Sequence, residues 1–200
     1  MKKIITRSEQ DKKRKKNQFI IGIILIALML FSTLGYALSG NSEDNTNSKK
    51  IEYKGIEFLQ DNSGYWHFNV QGYDFVTKYN PEEVKDVSFF NYLTLQNYAN
   101  KPLYFVGDYQ EPIYEISRNI NPFVARFNNA CLDEENCKGN FPVKNCSEDN
   151  IIIIQEIDYD SESEVKENIL QQDNCIFITA NLGNQTKYAD ALLFKLLRAE

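Results

Sequence analysis

Four cysteines, a single histidine and an excess of carboxylates are the residues of this 200-residue sequence whose chemistry goes beyond packing. Cys131, Cys137, Cys146 and Cys175 stand with five, eight and twenty-eight residues between them. A zinc site built on four cysteines shows a C-x2–4-C knuckle in at least one half, and a thioredoxin-like pair shows C-x-x-C at a helix start. Neither spacing occurs. An even number of cysteines on the oxidising side of a membrane points to two disulfides. Three pairings are open. The favoured one closes Cys131 with Cys137 around Leu-Asp-Glu-Glu-Asn and ties Cys146 to Cys175.

His67 is the sole imidazole, so a Ser-His-Asp or Cys-His nucleophile system would have to use it. No G-x-S-x-G elbow accompanies it, and a solvent-facing strand histidine accounts for it equally. Paired carboxylates can hydrolyse glycosides, but with 28 acidic residues some pair is unavoidable. Asp190 is the most pointed single acid; as a helix-first-turn acid it would simply favour the macrodipole. Glu156 to Glu164 spaces acids at alternate positions, and an oxygen-rich loop of this kind is a weak calcium candidate. Its pattern departs from an EF-hand at Ser163, where glycine belongs. Asn145-Cys-Ser and Asn184-Gln-Thr are glycosylation sequons, of which Asn184 is the candidate site. No glycine-rich phosphate cradle is present.

These residues belong to a chain with marked polarity. Residues 1–17 carry eight basic and two acidic side chains, +6, leaving 14 basic and 26 acidic residues, −12, for the rest. Positive charge confined to such a stub argues against nucleic-acid binding, which needs it on the folded part. Residues 18–38 then contain no charge and are nearly all hydrocarbon from Phe19 to Phe31, long enough for a helix to cross a bilayer. The adjacent lysines place the N-terminus in the cytoplasm by the positive-inside rule. The expectation is a single-pass signal-anchor in the cell membrane, with the lipid bilayer as partner of residues 18–38. A cleavable signal peptide ending near Gly35-Tyr36-Ala37 competes with it.

Residues 39–50 form a polar tether, and residues 51–200 an extracytoplasmic domain. Ile51–Leu59, Tyr65–Val70 and Tyr73–Tyr79 read as an antiparallel meander, with Trp66, Phe68 and Val70 on one face. Val87 to Asn100 has no clear period. A buried strand at Leu103–Val106 precedes an apolar stripe of Ile113, Ile116, Ile120, Phe123, Val124 and Phe127 at helical spacing, which Asn121-Pro122 should kink or split in two. Ile151–Ile154 is a buried strand, Glu164–Gln172 a short helix, Cys175–Thr179 another interior strand, and Ala189 to Leu197 a closing helix that Asn184 could cap. The fold class expected is α+β or α/β: a transmembrane helix, a meander, then alternating strands and helices joining one mixed-sheet domain.

The run Cys137-x8-Cys146-Ser-x3-Ile4, Cys175 and the closing Tyr188-Ala-Asp-Ala-Leu-Leu-Phe, behind a basic stub, one span and a polar tether, resembles the layout of archaeal single-pass membrane-anchored proteins of unassigned function. The resemblance implies no activity and no catalytic residues. The function expected from the residues is a non-enzymatic anchored domain that contacts another envelope or surface protein. An extracytoplasmic enzyme, either a carboxylate-based hydrolase or a thiol oxidoreductase, is the alternative. A calcium-responsive adhesion or sensor module is a further one, calcium being the one cofactor considered.

Overall fold

The computed structural model describes residues 16, 18–29, 49–87, 89, 92–135, 137, 139–157 and 166–198. The chain divides into a unit from Met1 to Asn47 and a compact unit from Ser48 to Glu200. In the first, residues 18–29 are helical, and large apolar side chains including Phe19, Ile21, Leu25 and Met29 are exposed. Residues 30–38, the second half of the expected span, lie outside the described residues, as do the basic residues 1–15 and most of the tether. Among the described residues no helix is long and apolar enough to cross a membrane.

The compact unit is α+β and holds two sheets. Strands β1 (Lys50–Tyr53), β2 (Ile56–Gln60), β3 (Trp66–Val70) and β4 (Tyr73–Thr77) form an antiparallel meander in chain order. Trp66 and Phe68 are buried and His67 and Asn69 exposed, the alternation a half-buried strand requires. Ile51–Leu59 is two strands where the sequence suggested one. Lys54 and Gly55 both take positive φ, 49° and 80°, which is the tight turn whose twist suits a two-residue hairpin.

After a single-turn helix α1 (Leu95–Tyr98), strand β5 (Pro102–Val106) leads through helix α2 (Gln110–Ile120) to β6 (Arg126–Asn129). Strands β7 (Asn150–Gln155), β8 (Asn168–Gln172) and β9 (Cys175–Thr179) and helix α3 (Gln185–Leu197) complete the chain. The second sheet has the order β6-β5-β7-β9-β8 and is parallel except for the β8–β9 hairpin.

Two expectations fail here for local reasons. The apolar stripe, expected to be kinked or split at Asn121-Pro122, ends its helix at Ile120, because Pro122 cannot donate the next helical bond, and no second helix follows up to Phe127. Phe127 lies instead on β6, parallel to β5 and against Phe105 at 5.9 Å between ring centroids. The helix expected within 164–172 is strand β8, where Ile169 is buried and Leu170 exposed. Asp173 at φ 52° turns the chain back onto β9. Its short polar side chain tolerates that left-handed backbone.

The meander and the mixed sheet stand as two sheets within the compact unit, consistent with the layout read from the sequence. α2 and α3 pack on each other, with α2 touching β4 and α3 touching β8 and β9. α3 is therefore apolar almost all round, as a helix buried between two surfaces must be. Phe194 on α3 is wholly buried, with its ring 6.0 Å from Phe58 and 5.6 Å from Phe68 of the meander. Ile152 and Ile154 of β7 face this shared core. Ile151 and Ile153 face the opposite side, where they meet Tyr104, Ala130 and Cys175. Four consecutive buried isoleucines are the signature of a strand covered on both faces. Phe194→Ala is expected to lower unfolding stability by about 3–5 kcal/mol, read from the midpoint of urea unfolding followed by Trp66 fluorescence.

Candidate functional site

Two places concentrate the polar chemistry, one inside the fold and one at its surface. Inside, Glu115 and Asn119 of α2 and Asp190 of α3 are 2%, 4% and 0% exposed. Their helices present them to β4, the edge strand of the meander. The Asn119 carboxamide accepts from the Val76 N–H at 2.8 Å and donates to the Val76 carbonyl at 2.7 Å, copying the pair of bonds a neighbouring strand would make. Beyond it, the Lys78 N–H is shared between Glu115 Oε1 at 3.0 Å and Asp190 Oδ2 at 3.1 Å. The Tyr79 N–H donates to Asp190 Oδ2 at 2.9 Å. Arg118, stacked 4.7 Å from the centroid of Tyr65, donates to Glu115 Oε1 at 2.6 Å.

Asp190 Oδ1 is buried and receives no N–H or O–H from the described residues, and Glu115 lies within hydrogen-bonding reach of Asp190. Burial first, and then the charge of Glu115, push the Asp190 carboxyl well above its ordinary value of 3.8. A proton shared between the two acids removes one buried charge. The pair works as a fastener between the layers. It faces no cleft.

At the surface, a crevice of about 660 Å3 opens at the carboxyl ends of β5 and β6. From β5 the chain moves through α2 to β6 on one side, whereas from β7 it moves to β8 and β9 on the other. That divergence falls between β5 and β7, whereas the crevice lies beside it, over the ends of β5 and β6 and against α2. Gly107 forms its base at φ 127°, with the Ile154 carbonyl 2.3 Å from where a Cβ would stand. No other residue fits there without moving the β7 backbone. One wall is the start of α2 and the residue pair before it, with Asp108, Gln110 and Tyr114; the facing wall includes Cys131, Leu132, Asp133 and Phe141.

The Cys131–Cys137 disulfide belongs to that second wall. Cys131 pairs with Cys137 and Cys146 with Cys175, at Cα separations of 5.4 and 5.0 Å, which leaves no free cysteine. These are the pairs the sequence favours. The first closes the loop carrying Leu132 and Asp133. The second pins the long β6–β7 connection to β9 across the otherwise open face of the sheet.

The other residues singled out by type lie elsewhere. His67 Nε2 is 2.8 Å from Asp61 Oδ2, and Asp61 Oδ1 also accepts from the N–H groups of Ser63 and Tyr65. The hydrogen bond to His67 is the main reason the Asp61 carboxyl lies below its usual range. This arrangement braces the β2–β3 turn and stands outside the crevice. Asn184 begins α3 without capping it. Its Nδ2 donates to both oxygens of Glu167 at 2.9 Å, so the atom that would carry a glycan is engaged. Burial pushes Glu167 up, but the Asn181 N–H and Asn184 amide outweigh it and hold the carboxyl below its usual range. Asp158 to Glu164 of the calcium-candidate loop lies outside the described residues, and among the described residues no group of three or more ligating side chains could hold a metal.

Fold and site together define an α+β domain with a buried carboxylate fastener and a disulfide-walled crevice. No family model, curated protein or solved structure matches the chain. Sequence reasoning missed Glu115, Asn119 and Asp108. The available signal was polar: Glu115 and Asn119 stand one turn apart beside Ile116 and Ile120, on the face that should be apolar.

The fastener makes stability depend on pH with a definite sign. A carboxyl raised on folding contributes fully below its unfolded value of about 3.8 and loses that contribution as pH climbs through the folded value. Asp190→Asn keeps an acceptor for the Tyr79 N–H and offers an amide to Glu115. It is expected to flatten this dependence, while Asp190→Ala costs about 2–4 kcal/mol at neutral pH. Urea midpoints of the three proteins between about pH 4 and about pH 8 check both outcomes.

Proposed function

We propose that this chain is a membrane-anchored recognition domain without enzymatic activity, which contacts another envelope protein through the crevice beyond β5 and β6. Residues 18–38 serve as the bilayer anchor, the basic stub stays in the cytoplasm, and the compact unit stands outside on its tether. The exposed apolar side chains of the helical residues 18–29 support this placement, because hydrocarbon surface of that kind needs a covering. So does the pairing of all four cysteines, a state that persists in oxidising compartments.

One contrast carries the non-enzymatic reading. The paired carboxylates that could serve a hydrolase are 2% and 0% exposed and closed to substrate. The crevice is open, fixed by Gly107 on one side and by a disulfide loop on the other. A rigid wall lowers the ordering cost of association and suits a binding surface.

Photo-crosslinking in intact cells, with benzoylphenylalanine in place of Tyr114 or Phe141, tests the reading. A discrete envelope-protein adduct is expected at both positions, and none from an exposed meander position such as Glu57. Absence of any adduct at the crevice would remove the proposal. The disulfides carry a further expectation. Native protein should titrate no free thiol, and Cys146→Ala with Cys175→Ala should lose about 3–4 kcal/mol on the chain-entropy estimate for a loop of this length. Thiol counting and urea unfolding measure the two.

A further inference from the structure

We infer, resting on that recognition reading, that the outer edge of β6 receives an extended segment of the partner protein as an added strand. β6 ends the mixed sheet and pairs with β5 alone. The phase of that pairing fixes which backbone groups are spare. Pro102 has no N–H to give, and the Ala130 N–H donates to the Phe105 carbonyl at 2.8 Å, so Arg126 and Asn128 direct their backbone groups to β5. Phe127 and Asn129 direct theirs outward, and among the described residues neither makes a hydrogen bond there. Cys131, next in this outward row, already holds a strand. Its N–H donates to the Pro142 carbonyl at 3.1 Å, and its carbonyl accepts from the Lys144 N–H at 2.8 Å, a parallel bridge to Val143. Pro142 has no N–H for the Asn129 carbonyl, so the pairing stops there.

Beside this edge a groove of about 380 Å3 runs between β6 and α2, with Ile113, Ser117 and Phe127 in its lining. It shares Phe105 and Asn129 with the crevice. An added strand turns alternate side chains into this groove and the others toward the face carrying Arg126. Arg126 is exposed, and the hydrogen bond its guanidinium makes goes to the hydroxyl of Tyr104, an uncharged partner. Lys144, which also meets Tyr104, is paired with Asp149 at 3.0 Å. The charge of Arg126 therefore favours an acidic side chain on the incoming strand, between two apolar ones that enter the groove. Spare backbone groups beside a groove for alternate side chains are how sheet edges take up peptides. A second copy of the chain fits less well. The side chains its β6 would offer the groove are Asn129 and Phe127, the latter already packed on Phe105 with 5.9 Å between ring centroids.

The test titrates the full-length chain in detergent micelles with a blocked Val-Glu-Val-Glu-Val peptide, in about 0.15 M salt, where charges more than about 8 Å apart are screened. The peptide is expected to shift the amide NMR signals of 113–117 and 126–129. It should also slow solvent exchange of the Phe127 and Asn129 amides by at least about tenfold. Two copies of the peptide, N-methylated at the valines or at the glutamates, separate strand addition from groove filling. Alternate amides of a strand point to opposite edges, so one copy should bind at least about tenfold more weakly and the other nearly as well. Asn129→Pro removes an outward N–H and none directed to β5, so it should weaken the peptide by about tenfold or more, while Asn129→Ala leaves it unchanged. Arg126→Gln should weaken it by about threefold. Equal effects of the two methylations, shifts centred elsewhere, or an equal loss in Asn129→Ala would overturn the inference. Should Asn129→Pro melt early, the methylated peptides on the unaltered protein decide. Protection of the Phe127 and Asn129 amides that rises with protein concentration before any peptide is added would give the edge to a second copy and overturn it too. A crosslinked partner captured equally by the unaltered chain and Asn129→Pro would keep the recognition reading and overturn the added strand. Peptide addition at β6 without any crosslinked partner would keep the added strand and remove the reading.

Discussion

An antiparallel meander ends in an edge, and an edge strand with unpaired N–H and C=O groups invites another chain. Here the edge at β4 is closed from within. Asn119 pairs with Val76 as a strand would, and Glu115 and Asp190 take the N–H groups of Lys78 and Tyr79 just past the end of β4. Because the three side chains come from α2 and α3, satisfying the edge also clamps the meander to the helices, and through them to the mixed sheet. The apolar contacts follow from that clamp. Phe194 reaches Phe58 and Phe68 only while β4 is held against the helix pair. Burying two acids is costly, and the cost is contained by a shared proton, the backbone donors and Arg118 at the margin.

Among the described residues, no helix lies over the opposite face of the mixed sheet. Ile151 and Ile153 are covered instead by the connection between β6 and β7, which contains three of the four cysteines. A long connection without regular structure is expensive to order. Closing it at Cys146–Cys175 and shortening its free part at Cys131–Cys137 reduces that expense in the unfolded chain. The same staples hold Leu132 and Asp133 at the rim of the crevice, so stabilising the sheet and shaping the surface are one structural act.

Elements declared by periodicity or by β-branching were legible in the sequence: the alternation at Trp66–Val70, the isoleucine run, the Cys175–Thr179 strand and the closing helix. Cysteine spacing was also informative, since a loop of five intervening residues can close on itself and leaves the remaining two to pair. What failed depended on partners distant in the chain. Asn168 to Gln172 has the composition of a helix and becomes a strand because β9 offers it an edge. Phe127 fits a helical stripe and lies on a strand because Pro122 ended the helix. The crevice could not be seen, because it is made by strand order, which separates neighbours in sequence and joins Ala130 with Phe105. Asp190 was visible as unusual, but its meaning required Glu115, 75 positions earlier.

The acids of this chain show why residue type alone is a weak guide to role. Asp190, Asp61 and Asp108 are chemically identical carboxylates. In a wholly buried place beside a second acid, the first holds a proton and fastens two layers. In water beside an imidazole, the second stays ionised and braces a turn. Exposed at the rim of the crevice, the third stands just ahead of α2. Burial and neighbouring charge set the state of each group, and the state sets what it can do. In a domain with so many acids, function therefore follows from which few the fold withdraws from water and which it sets around an opening.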